Sequence, residues 1–412
     1  MYKNFIFYDT LALMNEYISL LRSEPVVRRL SIVQFVVYFG AWFSNVAIYT
    51  LLLKMDVSAE VVAFVAMLHF LAGVIQAPFS GSFIDSVKPK QLLIGLIIIQ
   101  FFSTISLLFV KDVGDLNLLY ILILIKMAAA SFYFTTEMSL LPRILPSSKL
   151  QVTNELHSII WSFSYTLGMA ISGFLVYMFG VSVAFVLDAM MFVLSLFLLF
   201  NLEIKVVFVK TGESLLSMMS DSLRYMKQNP HAIHLMMIHA FVGFSVFDAL
   251  VALMVDNYYA GIIATSLALG LLHASRAFGL IIGPLFLQKL TNSKGVVYIF
   301  LLQGLAVWLW AFVMKNFYMS IGVSVLVGLF TTTLWSYTYT LLQKNIDKKY
   351  YGRIVAYNDM LFLSTAAFTS FMIGVFAKYG YSLEFIAFVM GITFMVGGVY
   401  FKWIVKTQKI KG

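Results

Sequence analysis

The stretch GSFIDSVKPKQLL, residues Gly81–Leu93, sets Asp85, Lys88 and Lys90 close together, with a proline between the two lysines. AMLHFLAGVIQAPF precedes it and LIGLIIIQFFSTISLLFV follows and overlaps it, and neither run contains a Lys, Arg, Asp or Glu. A short charged turn between two long apolar runs is the pattern of two helices that cross a bilayer and meet in a polar loop.

Composition extends that reading to the whole chain. Of 412 residues, 61% are hydrophobic and 11% are charged, whereas soluble domains average about 45–50% apolar and roughly 25% charged. A surplus of this size has too little polar shell to be a buried core, so it faces lipid. A membrane-crossing helix needs about 20 mostly apolar residues. Twelve such runs are readable, at 30–53, 61–82, 91–110, 117–141, 155–178, 181–203, 233–255, 263–287, 295–314, 318–342, 354–377 and 383–404. Barrel strands would be shorter and alternate in polarity. Backbone amides inside lipid need internal partners, so the runs are expected to be continuous helices.

Basic residues orient the chain. With the N-terminus on the inner side, the inner segments hold 22 Lys and Arg, and the outer loops hold Lys54, Lys111, Lys315 and Lys378. That asymmetry is a positive-inside signal and places both termini in the cytoplasm. The net charge of +9 then faces an anionic inner leaflet, and no nucleic-acid partner is needed to explain it. Residues 1–29 are polar and aromatic without a small-residue cleavage site, so no signal peptide is expected. FIFYDTLALMNEYISLL at 5–21 reads either as a surface amphipathic helix or as a loose tail. With no cysteine in the chain, disulfides and thiolate metal sites are excluded, and the redox compartment stays open.

The longest polar break, IKVVFVKTGESLLSMMSDSLRYMKQNPHA at 204–232, follows six spans and precedes six more. Apolar residues at helical spacing over 213–228 predict a short amphipathic helix stopped at Asn229-Pro230. The expected architecture is an all-α membrane protein of twelve transmembrane helices in two pseudo-symmetric six-helix bundles. Its parts are a cytoplasmic segment 1–29, a first bundle 30–203, a connector 204–232, a second bundle 233–404 and a tail 405–412. Gly40 precedes Asn45 by the same spacing as Gly243 precedes Asp248, and APFSG in span 2 has a counterpart in GPLF of span 8. Repeated halves with a site between them are a common transporter architecture. Gly168, Ser172 and Gly173 in span 5, Gly279 and Gly283 in span 8, and Ala366, Ser370 and Gly374 in span 11 let backbones approach. They read as plain packing or as a sliding seam between halves.

The opening loop resembles the signature loop between helices 2 and 3 of the major facilitator superfamily: a glycine, three residues, an aspartate, then basic residues. Gly81, Asp85 and Lys90 match it, while Ser86 replaces a usual basic residue and Lys88 a frequent glycine. The form without the second glycine is similar to the subgroup of enterobactin exporters and macrolide-efflux proteins. LPRILPSSKLQVTNELHSI (141–159), FGVSVAFVLDAMMFVLSLFLL (179–199), SLRYMKQNP (222–230) and YGRIVAYND (351–359) resemble further segments of that subgroup. Efflux members usually carry Gly-Pro in helix 5; here Gly168-Met169 stands there, and Lys126 takes the place of a helix 4 arginine. The resemblance implies a cytoplasmic gate at Gly81, Asp85 and Lys90, and monomer is the family default. An aspartate near a helix terminus can pair with a base or with another helix end; for the lysines, plain topology is the alternative reading.

Charges inside a bilayer are expensive, about 2.5–3.5 kcal/mol on insertion scales, so they should face a cavity or a partner. GLLHASRAFG at 270–279 places His273 and Arg276 three apart on one face of span 8. Asp248 lies in span 7, Lys126 in span 4, Asp188 in span 6 and His69 in span 2. Arg276 stays charged, so it can bind an anion or tune a neighbour. Asp248 or His273 is the candidate proton carrier with Arg276 as partner; a static Asp–Arg pair is the competing reading. Lys126 is a candidate for substrate or proton coupling by family position, and Asp188 reads as structural. His231, His234 and His239 match no metal-ligand spacing, so no metal is expected.

No G-x-x-x-x-G-K-[ST] or H-E-x-x-H occurs, which leaves neither an ATP-driven pump nor a zinc peptidase as a sequence-supported reading. The expected function is secondary transport across the inner membrane by alternating access, not enzymatic catalysis. Export of a small amphipathic or aromatic compound by proton antiport is the leading form, with the proton gradient in place of any cofactor. Trp42, Asn45, Phe132, Tyr133, Phe247, Trp335 and Tyr337 are candidate cavity-lining residues beside Asp248. The alternative is uptake or uniport of a small anionic metabolite held by Arg276 and Lys126. A sensing receptor on a transporter fold is a third class.

Overall fold

The computed structural model of the chain describes residues 15–204, 215–287, 290–347 and 350–407. After a short helix α1 (15–23), the first half comprises α2 (Pro25–Lys54), α3 (Ala59–Ser86), α4 (Pro89–Ser106), α5 (Leu116–Ile144), α6 (Ser147–Phe179) and α7 (Val181–Phe200). The connector carries α8 (Leu215–Gln228). The second half comprises α9 (Pro230–Ala240), α10 (Asp248–Tyr259), α11 (Thr265–Leu287), α12 (Gly295–Val313), α13 (Phe317–Asn345), α14 (Tyr351–Lys378) and α15 (Leu383–Thr407). Twelve helical spans are long and apolar enough to cross a bilayer, and the described residues contain no strand. An even number of crossings returns the chain to the side it started from. The two sides are called here the termini end and the far end.

Local chemistry sets the helix boundaries. Pro25, Pro89 and Pro230 open α2, α4 and α9, where a missing N–H costs nothing and the fixed φ suits the first turn. Asn316 caps α13 by accepting from the Met319 amide at 3.1 Å. The single residue Gly180, at φ 85°, links α6 to α7; this left-handed backbone is accessible to glycine without steric cost. Connector helix α8 stops at Gln228, just before Asn229-Pro230.

Within the first half α2 packs on α6 and α7, and α4 on α5 and α7; within the second, α11 packs on α13 and α12 on α15. Gly168 lies on Trp42 and the Phe39 carbonyl, and Ser172 donates to the Phe43 carbonyl at 3.1 Å, fixing α6 to α2. Gly279 and Gly283 lie on Val325 and Leu329 of α13.

Two seams join the halves, α3 with α14 and α6 with α11. In the second, Gly173 and Gly270 face each other. A Cβ on Gly173 would sit 2.6 Å from the Ser266 carbonyl oxygen, and one on Gly270 2.6 Å from that of Met169. In the first, Gly374 rests on Ala63, and Lys378 pairs with Glu60 at 2.9 Å. These contacts lie toward the far end of their helices.

The seventh span departs from the continuous helix expected over 233–255. Helix α9 tightens into a 3-10 turn at Phe241–Ser245, Val246 turns extended, and α10 restarts at Asp248. At the break Gly243 lies against α14: a Cβ there would lie 2.8 Å from the Phe362 carbonyl oxygen and 3.1 Å from the Ala366 nitrogen. Irregular backbone is tolerated at membrane depth only inside protein. This is the most enclosed span, with 83% of its apolar window buried against 33–67% in the others.

Candidate functional site

The break in the seventh span builds the site. Its freed Ser245 carbonyl accepts a hydrogen bond from Arg276 Nη2 at 2.7 Å. The guanidinium also lies over the Phe247 ring, 5.2 Å from its centroid, and offers Nη1 to the Tyr165 hydroxyl at 3.4 Å. Its Nε is buried without a partner. Arg276 thus holds the broken backbone in place and reaches across to α6 of the other half. His273, one turn earlier, reaches the same hydroxyl through Nδ1 at 3.3 Å.

Asp248 is the first residue of α10, where the helix dipole favours a negative charge. Its carboxylate is partly open and, among the described residues, makes no hydrogen bond or ion pair. Its charge acts on Tyr49, His69 and Tyr165 of the first half and on His273 of the second. Tyr49 stacks on His69 at 6.0 Å, and His69 Nδ1 donates to the Val65 carbonyl at 2.8 Å, leaving Nε2 without a partner. The acid, two imidazoles, two phenols and one guanidinium therefore straddle the contact between the halves.

A second charged group is sealed inside the first half. Lys126 of α5 and Asp188 of α7, 1% and 0% exposed, pair at 2.6 Å. Ser44 of α2 donates to the same carboxylate oxygen. Gly40 lies directly on Asp188 and Met191, so no larger residue fits there.

The other sequence-derived positions are dispersed. Trp42 is half-buried and packs on Tyr165 at 4.3 Å and Trp161 at 5.8 Å. Asn45 is buried with an unpartnered Oδ1. Phe132 meets Phe83 edge-on, and Tyr133 is buried with its hydroxyl unpartnered. Phe247 is fully buried under Arg276 and against Trp310. Trp335 is 36% exposed and stacks on Tyr339, whereas Tyr337 is buried beside Ser293 and Phe401. Lys90 donates to the Phe200 carbonyl at 2.9 Å, at the end of α7 in its own half. Gly81 and Asp85 fall in the last turns of α3; their side-chain surroundings lie outside the described residues.

Sequence reasoning missed Tyr49, Tyr165 and Ser245, because aromatic and small residues abound and only a fold selects these three. It also missed Glu137 and His157, both buried. Glu137 was legible as an acid inside the run 117–141.

Comparison with known proteins completes the picture. A family model described as Major Facilitator Superfamily matches residues 30–358. No curated protein sequence matches this chain. Among solved structures, a bacterial homolog of the human lysosomal transporter Spinster, inward-facing and unoccupied, is similar with a TM-score of 0.71 at 12% identity, over 94% of this chain and 99% of that one. A D-xylose–proton symporter is similar with a TM-score of 0.71 at 11% identity, over 90% and 97%. A bacterial homologue of the iron transporter ferroportin, inward-facing, gives 0.68 at 16%, over 92% and 98%. At these identities the likeness is one of fold. The family match over most of the chain, together with twelve spans in two halves, makes this protein a member of the Major Facilitator Superfamily of transporters.

Proposed function

We propose that this chain exports a small amphipathic, ring-bearing compound across the inner membrane in exchange for protons. It does so by alternating access, with both termini in the cytoplasm. The observation that carries the proposal is Asp248: a carboxylate at a broken helix, without ion pair or hydrogen bond among the described residues, beside groups from both halves. A charge that holds no fixed partner can exchange a proton, and one between halves can link that exchange to their rocking. In this reading the tight far-end seams make the present state inward-facing. Export follows from the resemblance of the Gly81–Leu93 loop and its companion segments to efflux proteins.

Aromatic walls support a ring-bearing substrate: Trp42, Trp161 and Tyr165 in the first half, Trp335, Tyr339 and Phe362 around His239 in the second. The two cations that an anionic metabolite would need already hold partners, Lys126 on Asp188 and Arg276 on Ser245. A neutral or cationic substrate fits better. The test is proteoliposomes with an internal pH dye, screened with lipophilic cations, macrolides, siderophores and carboxylates. Substrate-dependent counterflow of protons should be abolished in Asp248→Asn while substrate still binds. Proton movement that survives in that variant removes Asp248 from the carrier role. Substrate flux without any proton movement replaces antiport by uniport.

A further inference from the structure

A pocket apart from the Asp248 cluster lies between α2, α5 and α6, at the termini end of the first half. It is small, about 10 Å³, room for about one water molecule. Val27, Leu141 and Thr153 line it nearer the termini-side ends of their helices, and Gln34, Glu137 and His157 line it deeper along them. Glu137 stands seven residues before the end of α5, which places it ~10 Å inside at 1.5 Å per residue.

The deeper lining is polar and unsatisfied. Glu137 is 2% exposed, and its Oε2 has no hydrogen-bond partner. The Tyr38 hydroxyl lies against Glu137, and the Tyr133 hydroxyl, which also feels that carboxyl, and His157 Nε2 are buried without partners. Gln34 is taken up by the His157 carbonyl at 3.1 Å. The groups facing Glu137 are thus Tyr38 and Gln34 from α2, Tyr133 from α5 itself, and His157 from α6; none is a lysine or arginine. Toward the termini end Lys149 pairs with Glu24 at 2.6 Å, and Glu155 accepts from Tyr17 at 3.1 Å. A buried carboxylate without a cation is strongly disfavoured as an ion, and most buried polar groups in native proteins are satisfied.

We propose that this pocket is a binding site for a proton, carried by Glu137 and drawn from the solution at the termini end. All three of its walls belong to one half, so the site does not change sides when the halves rock. It therefore sets the working pH on the termini side, and its proton is distinct from any exchanged at Asp248. The neutral acid is the working form. Raising termini-side pH ionises it, leaves an unpaired charge among Tyr38, Tyr133 and His157, and slows turnover. Each pH unit beyond its titration lowers the protonated fraction about tenfold.

Infrared difference spectroscopy of the purified protein tests the site directly. A protonated carboxyl stretch at neutral pH should be lost in Glu137→Gln and kept in Asp248→Asn. Its absence from the parent, or its persistence unshifted in both Glu137→Gln and Glu137→Asp, overturns the proposal, and Glu137→Asp alone decides if the glutamine variant does not fold. In oriented proteoliposomes the parent's rate should fall as termini-side pH rises, and Glu137→Gln, fixed in the neutral form, should not show that fall. An alkaline fall that remains in the folded variant overturns the proposal. So does one that shifts with sodium concentration at fixed pH, because the pocket then takes a metal cation. Failure of proton antiport at Asp248 would leave the infrared result intact, so the two readings fail separately.

Discussion

Lys126 shows how much a single buried partner can matter. The Lys126–Asp188 pair is sealed from solvent and shares an oxygen with Ser44. Removing one member of such a pair costs about 3–5 kcal/mol, because the survivor keeps its charge without its partner, whereas neutralising both is often nearly free. Lys126→Met should therefore lower the melting temperature sharply, and Lys126→Met with Asp188→Asn should recover most of it, the asparagine retaining a bond to Ser44. Thermal unfolding in detergent measures both. Transport by the double variant then separates roles: retained coupling makes the pair a fastener of α5, α7 and α2, and lost coupling in a stable protein makes Lys126 part of the transport cycle. Sequence alone had these residues on different spans with different roles, since nothing in the apolar runs says which spans touch.

At the level of the helix, span lengths were legible because bilayer thickness fixes how many apolar residues a crossing needs. The break in the seventh span was not, because FVGFSVF across it is as apolar as the helices on either side. What marks it is Gly243 before Asp248, a spacing shared with Gly40 and Asn45, yet the latter pair sits in the unbroken α2. The difference lies in the neighbour: Gly243 meets the backbone of α14, and Gly40 meets side chains of α7. Two substitutions of the same kind should then have opposite signs. Gly243→Ala forces its methyl toward the Phe362 carbonyl and should cost about 1–3 kcal/mol by overpacking. Gly322→Ala in α13, with nothing within 4 Å of the new Cβ, should gain up to ~1 kcal/mol from helix propensity. Melting temperatures of the two variants check this, and a stabilised Gly243→Ala would mean that α14 yields and does not impose the break.

For the molecule as a whole, the polar connector made the two halves readable, but the small residues did not say which surfaces they served. Gly168, Ser172, Gly279 and Gly283 pack within halves, and of the five marked for packing in spans 5 and 8 Gly173 is the one that meets the other half. That makes Gly173 the place to test motion. A leucine there has no room against Ser266 and Gly270, so the far-end seam of α6 and α11 has to part. If the halves exchange between two packed states, the population moves toward the one closed at the termini end. The chain lacks cysteine, so spin labels can be placed without clearing a background. Labels at Val113 and Ile262, exposed at the far end in opposite halves, should move apart in Gly173→Leu, while labels at Ser148 and Thr340 at the termini end draw together. Both changes in one variant are the signature of rocking about the centre. Far-end separation without termini-end closure would instead mean that the seam only loosens, and the Asp248 cluster would then lie in a joint that opens without alternating.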